Sequence, residues 1–217
     1  MSQAEILESL KQAVIDGEVD LAKEMCSKAL QTGIDPMVAI EKGLQPGLQV
    51  VGDAFGRGES FIPELIAAAQ VMEASSGILN KEIEKSGRTV KSLGLLAIGT
   101  VKDDIHTIGK SIVGAIFKAA GFDIIDLGID VPVDAFVKVV EEKQPTLLGL
   151  SSLLTTTVAQ QKMVIDALKG KGLRSKVKIM IGGGAVTQDW ADEIGADIYG
   201  QNAQDGLMKA KKALNLA

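Results

Sequence analysis

At 217 residues, with 46% apolar side chains, 24 glycines and 5 prolines, the chain is long enough for one large or two modest domains and reads as globular, not disordered. Aromatics at 3% and a net charge of −5 argue against a nucleic-acid surface, which needs stacking platforms and a basic footprint. The single cysteine, Cys26, excludes an internal disulfide and argues against a cysteine-based zinc site; the absence of a long apolar run or an N-terminal h-region argues against a membrane span or a signal peptide, so a cytoplasmic protein is expected.

The first part of the chain carries helical spacing. Ile6, Leu7, Leu10, Ala13 and Val14 mark one helix, and Asp20 to Thr32 a second that Gly33 stops. A third is expected from Pro36 to Phe55, kinked at Pro46-Gly47 and ended by Gly56. Pro63 opens a fourth, with Leu65, Ile66, Ala69, Met72 and Leu79 on its inner side. Short connections between four such helices predict a small bundle. The polar stretch Glu84 to Lys91, with Ser86-Gly87, reads as a linker, which divides the chain into residues 1–88 and 89–217.

Beyond the linker the pattern alternates. Short apolar runs at Leu93–Ile98, Ile124–Leu127, Leu147–Leu150, Val177–Ile181 and Asp197–Tyr199 read as strands. Helical stretches at Gly109–Ala120, Val133–Glu142, Val158–Lys169, Thr187–Ile194 and Ala203–Leu214 follow them in turn. This order predicts an α/β domain with a five-stranded parallel sheet wound on both faces, of flavodoxin-like (Rossmann) type. Ligands of such sheets sit beyond the C-terminal strand ends, so the residues after each strand carry the chemistry.

After the first strand comes Asp104-x-His106-x-x-Gly109, which contains the only histidine in the chain. A neutral imidazole is a good transition-metal ligand, and Asp104 can hold its other ring nitrogen, fixing the tautomer. One histidine cannot build a zinc or iron site alone, and a histidine near an aspartate is more often structural. The metal that remains is one whose other ligands come from a macrocycle. The third strand ends in Ser151-Ser152-Leu153-Leu154-Thr155-Thr156-Thr157, whose hydroxyls either cap the next helix or bind a polar ligand. The fourth ends in Gly182-Gly183-Gly184, either a flexible turn or room for a ligand tail, and the fifth in Gly200-Gln201-Asn202-Ala203.

Taken in register, Asp104-x-His106-x-x-Gly109, Ser151-x-Leu153 and Gly182-Gly183 resemble the cobalamin-binding fingerprint of methionine synthase and of the corrinoid proteins of methyltransferase systems. Upstream, Val50-Val51-Gly52-Asp53-Ala54-Phe55 and Phe61-Ile62-Pro63-Glu64-Leu65 resemble that family's helical cap, so the resemblance covers nearly the whole chain. It implies a bound cobalamin with His106 as lower ligand to cobalt in place of the cofactor's own base, and Asp104 and Thr157 as a proton relay behind it. It implies cofactor contacts along Val101, Lys102, Asp103, Asp104, Ile105, His106, Thr107, Ile108 and Gly109. Ser151 and Thr155 are implied at the nucleotide tail, flanked by Gly182 and Gly183, with Ala203 closing that end, and Leu153, Gln201 and Asn202 are implied as further cofactor contacts. In the cap, Phe55, Ile62 and Leu65 are implied over the upper face, and Glu41 at the corrin edge. Two positions depart from the family pattern: Thr157 stands where a serine is usual, and Gly184-Ala185 where relatives often carry Ala-Pro.

What the resemblance implies about function is a methyl carrier, a subunit that is not itself a catalyst. Its implied partners are a substrate:corrinoid methyltransferase, a second methyltransferase serving tetrahydrofolate or coenzyme M, and a reductive activase. The alternative is a cobalamin-sensing regulator, which needs a DNA-reading module that the acidic charge argues against. A signalling receiver needs a phosphate-accepting Asp where Ser151 and Ser152 stand, and a flavodoxin needs aromatic residues in the strand-end loops.

Overall fold

The computed structural model describes residues 1–86 and 92–216, which fall into two compact units, Met1–Lys91 and Ser92–Ala217. The division expected between residues 88 and 89 lies outside the described residues.

The first unit is helical: α1 (Gln3–Asp16), α2 (Val19–Gln31), α3 (Pro36–Ala39), a π turn (Ile40–Leu44), α4 (Gln45–Gly56) and α5 (Ile62–Lys85). Ser2 caps α1, accepting the Glu5 N–H while the Glu5 carboxylate accepts the Ser2 N–H, a reciprocal pair that satisfies two otherwise unpaired donors. The expected kink at Pro46-Gly47 takes another form. Backbone from α3 through α4 stays helical, and the irregularity is the π turn, where the Gln45 N–H donates to the Ile40 carbonyl. That wide turn ends just before Pro46, where a regular helix would have needed a backbone N–H that proline lacks. Gly47 is needed for another reason: a Cβ there would lie 2.6 Å from the Lys11 carbonyl oxygen, so only glycine lets α1 and α4 approach so closely.

The linker expected from Glu84 starts later, because α5 runs through Lys85. The buried stripe of α5 continues through Leu79 to Ile83, and the helix lasts as long as that stripe does.

In the second unit the strands are β1 (Leu95–Thr100), β2 (Asp123–Asp126), β3 (Leu147–Ser151), β4 (Lys178–Gly182) and β5 (Ile198–Gly200). They form one five-stranded sheet in the order β2-β1-β3-β4-β5, parallel throughout. The intervening helices are α6 (Ile108–Ala119), α7 (Val133–Lys143), α8 (Ala159–Gly170), α9 (Gln188–Ile194) and α10 (Ala203–Ala213). Helix α6 neighbours α10, and α7 neighbours α8, which covers both faces of the sheet. The central strands β1 and β3 are accordingly near-continuous apolar runs, as a doubly covered sheet requires. Strand order reverses between β1 and β3, so the switch point lies between the loop that carries His106 and the loop that follows Ser151.

Register sharpens this. Thr100 pairs with Ser151, Ser151 with Gly182, and Gly182 with Gly200. One row of small residues therefore closes four adjacent strands at their C-terminal ends, and the space above that row is open to a ligand.

Candidate functional site

The loop after β1 turns back on itself at Asp104. Its carboxylate is fully buried, with a side-chain exposure of 0%, whereas the neighbouring His106 ring is 47% exposed. Asp104 Oδ1 lies 2.7 Å from His106 Nδ1 and also accepts the His106 backbone N–H at 3.0 Å. Its Oδ2 accepts the Leu153 backbone N–H at 2.8 Å and the Thr157 hydroxyl at 2.9 Å. Burial pushes the Asp104 carboxyl up, but these bonds from His106, Leu153 and Thr157 outweigh it and hold the group at about 2. It is therefore a carboxylate near neutral pH and can only accept. Nδ1 of His106 must donate to it, which leaves Nε2 as the lone-pair nitrogen on the accessible side of the ring.

Behind Asp104 the polar chain continues. The hydroxyls of Thr157 and Ser152 are 2.9 Å apart, and both residues are buried. Since Thr157 donates to Asp104, Ser152 donates to Thr157. The Thr157 hydroxyl thus bridges Asp104 and Ser152, and the methyl that distinguishes it from serine does not displace it from Asp104. Ser152 is a member of this chain that the sequence did not single out. In front, the Thr100 hydroxyl donates to the His106 carbonyl at 2.8 Å and ties the loop to the strand it leaves.

Beside the histidine a cleft of about 370 Å³ runs over the strand ends. It is lined by His106, Gly109, Ser151, Leu153, Gly182, Gly183, Gln201 and Asn202, all expected at a ligand. Gly183 is required by its surroundings: its φ is 126°, and a Cβ would lie 1.9 Å from the Ser152 carbonyl oxygen. The lining also includes Gly200, at the expected mouth of the fifth strand, and residues not singled out in sequence, among them Lys110 and Val113 on α6, Met180 on β4, Tyr199 on β5 and Gly206 on α10. The strand-end rule could have found Tyr199. The α6 and α10 residues had no such signal, because the face a helix turns to the cleft depends on its packing.

Other expected residues lie apart from the cleft lining. Val101 and Ala203 are buried, and Thr155 is exposed. Lys102 and Asp103 form the turn before Asp104. Ile105 and Ile108, each 69% exposed, and exposed Thr107 stand close to His106 in the same loop. In the helical unit Glu41 and Ile62 are exposed, Phe55 is half-buried, and Leu65 is buried at 1% exposure.

Among the described residues no three His, Cys, Asp or Glu side chains gather to hold a metal ion. A metal at His106 must therefore bring most of its own ligands. The donor set and the cleft fit a corrinoid on that count: one anchored imidazole with an available nitrogen, exposed isoleucines in the same loop, and a slot lined by Ser and Gly. No helix among the described residues is long and apolar enough to cross a membrane.

Comparison with known proteins agrees with this geometry. Residues 94–208 match the model of a B12 binding domain, and residues 6–80 match a second B12 binding domain model. The chain is 46% identical over 215 residues to a trimethylamine corrinoid protein of Methanosarcina barkeri, covering 99% of each chain. It is 42% identical over 213 residues to dimethylamine corrinoid protein 1 of Methanosarcina mazei, covering 98% of each. Its fold is similar to a chain in the crystal structure of the methanol:cobalamin methyltransferase complex MtaBC from Methanosarcina barkeri. That match has a TM-score of 0.83 and 31% identity, and covers 100% of this chain and 82% of the other.

Proposed function

This chain belongs to the B12-binding corrinoid proteins of methylamine methyltransferase systems, and from that premise we propose that His106 is its ligand to the corrinoid cobalt and that the chain shuttles methyl groups derived from a methylamine. The observation that carries the ligand assignment is the 2.7 Å contact between Asp104 and His106 at the mouth of the cleft. When bound, the corrinoid supplies the metal centre that takes up and gives away the methyl group. The chain supplies ligation, proton placement and shelter.

Each of these can be assigned to residues. Asp104 holds the proton on Nδ1 and so presents Nε2 as a neutral donor. Were Nε2 not engaged by a metal, the buried carboxylate of Asp104 would stabilise a proton held there. Thr157 and Ser152 keep that carboxylate ionised and in place. Ser151, Gly182 and Gly183 line the slot suited to the cofactor's tail, with Gln201 and Asn202 at its far end. Ile105 and Ile108 offer apolar surface beside the ligand. In the helical unit, Glu41, Phe55, Ile62 and Leu65 carry over from the family as cofactor contacts. The exposure of Ile62 and the half-exposure of Phe55 support it for those two, while the burial of Leu65 favours a core role.

The chain works with a substrate:corrinoid methyltransferase, as its similarity to a component of the MtaBC complex supports. A second methyltransferase that serves tetrahydrofolate or coenzyme M and a reductive activase complete the proposal. A cytoplasmic site accords with the lone, buried thiol of Cys26.

Absorption spectroscopy of the full chain reconstituted with cobalamin tests the ligand assignment. The expected spectrum is that of a corrinoid whose own base is displaced by histidine, lost in His106→Ala. The same spectrum in both proteins overturns it.

A further inference from the structure

The loop between β2 and α7 holds a residue that the reading above leaves unused. Asp130 adopts a left-handed backbone at φ 53°, and Asp103 does the same at φ 67°. Neither is glycine, so each conformation needs local support. The two supply it for each other. Asp130 Oδ1 accepts the Asp103 backbone N–H at 2.8 Å and Lys102 Nζ at 2.7 Å. The Asp130 N–H donates in turn to the Asp104 carbonyl at 2.9 Å. Beside these, the Thr100 N–H meets the Gly128 carbonyl and the Val131 N–H meets the Thr100 carbonyl, each at 3.0 Å, so the two loops run side by side.

We propose that Asp130 is a positioning residue for the His106 ligand, clamping the backbone at Asp103 and Asp104 so that Asp104 presents its carboxylate to the ring. The inference rests on the reading of His106 as cobalt ligand. Asp104 touches His106 twice, through the backbone N–H and through Nδ1. Any rotation of the Asp104 backbone therefore moves the ring and the direction of Nε2. Asp130 grips the chain on both sides of the Asp103–Asp104 peptide, one bond at the 103 N–H and one at the 104 carbonyl. Charge has the smaller part. The side chains of Lys102 and Asp130 are 43% and 45% exposed, so water screens their attraction, while the backbone bonds persist without it.

Two variants of the full chain separate these contributions. Asp130→Gly keeps the freedom to take a positive φ but removes the carboxylate. Asp130→Asn keeps an Oδ1 acceptor and tolerates the same conformation. With cobalamin bound at fixed neutral pH, the ratio of histidine-on to histidine-off corrinoid, read by absorption, is expected to fall about tenfold in Asp130→Gly. Asp130→Asn is expected to restore most of it. In the cofactor-free protein the nitrogen resonances of the single histidine are expected to lose their Nδ1–H tautomer in Asp130→Gly alone. If Asp130→Gly does not fold, Asp130→Ser, whose hydroxyl is too short to reach the Asp103 N–H, takes its place. A folded Asp130→Gly with the parent ratio and tautomer overturns the clamp alone, as does an equal loss in Asp130→Asn. A parent protein with no histidine-on spectrum overturns the ligand reading and the clamp with it.

Discussion

Asp104 and Leu153 stand 49 positions apart in the chain, yet the Leu153 backbone N–H donates to Asp104 Oδ2 at 2.8 Å. This bond spans the switch point between β1 and β3 and joins the histidine loop to the loop that lines the cleft. It also fills half of one carboxylate oxygen, leaving the other oxygen for His106. The Asp104 carboxylate is thus shared between two loops, and its loss is felt in both.

Asp104→Asn is expected to lower stability by about 1–3 kcal/mol, because an amide cannot accept all of the bonds that converge there. In the folded chain Asp104 titrates at about 2, below its ordinary value of 3.8. Its contribution to stability is therefore fully present above about pH 4 and is lost as the pH falls through 4 toward 2. Urea midpoints measured from pH 7 to pH 3 check this: the parent should lose stability below pH 4 more steeply than Asp104→Asn. Parallel curves overturn the expectation.

Thr157 separates hydroxyl from methyl. Thr157→Ser keeps the donor to Asp104 and the acceptor for Ser152, and is expected to stay close to the parent in stability. Thr157→Val keeps the shape but leaves Ser152 and Asp104 each short of a partner in a buried place, at a cost of about 1–3 kcal/mol. Denaturation midpoints of the two variants give the comparison. Equal losses for both would mean that packing, not the hydroxyl chain, sets the requirement at this position.

Gly183→Ala is expected to be far worse than Gly182→Ala. At Gly183 both the φ of 126° and a Cβ placed 1.9 Å from the Ser152 carbonyl oxygen oppose any side chain. At Gly182 the nearest atom to such a Cβ is the Gly200 carbonyl oxygen at 3.1 Å, a contact that small shifts relieve. A loss on the order of 3 kcal/mol or more is expected for Gly183→Ala, and roughly 1 kcal/mol for Gly182→Ala. Thermal unfolding of the two proteins ranks them, and a milder effect at Gly183 contradicts the geometry.

Much of this was legible before any coordinates, for local reasons. The alternation of apolar runs with helical spacing located all five strands to within a few residues, since burial on both faces of a parallel sheet leaves a contiguous apolar run. The Pro46 region is less legible. A proline signals a disturbance, but whether the helix kinks or widens into a π turn depends on what packs against it, and here α1 lies close over Gly47.

Residue order by itself determined that the chemistry lies after the strands, and that Asp104 and His106, two positions apart, can meet through Nδ1. It also supplied the three spaced motifs that mark the family. Only the tertiary structure decided that Ser152, and not Ser151, stands behind Asp104, and that Lys110, Val113 and Gly206 face the cleft. Only the fold aligned Thr100, Ser151, Gly182 and Gly200 in one row, and brought Asp130 onto the backbone of Asp103. The physical reason is that periodicity reports which side of its own element a residue occupies. Which loop meets which is set by strand order and register, and those are fixed by packing across the whole sheet.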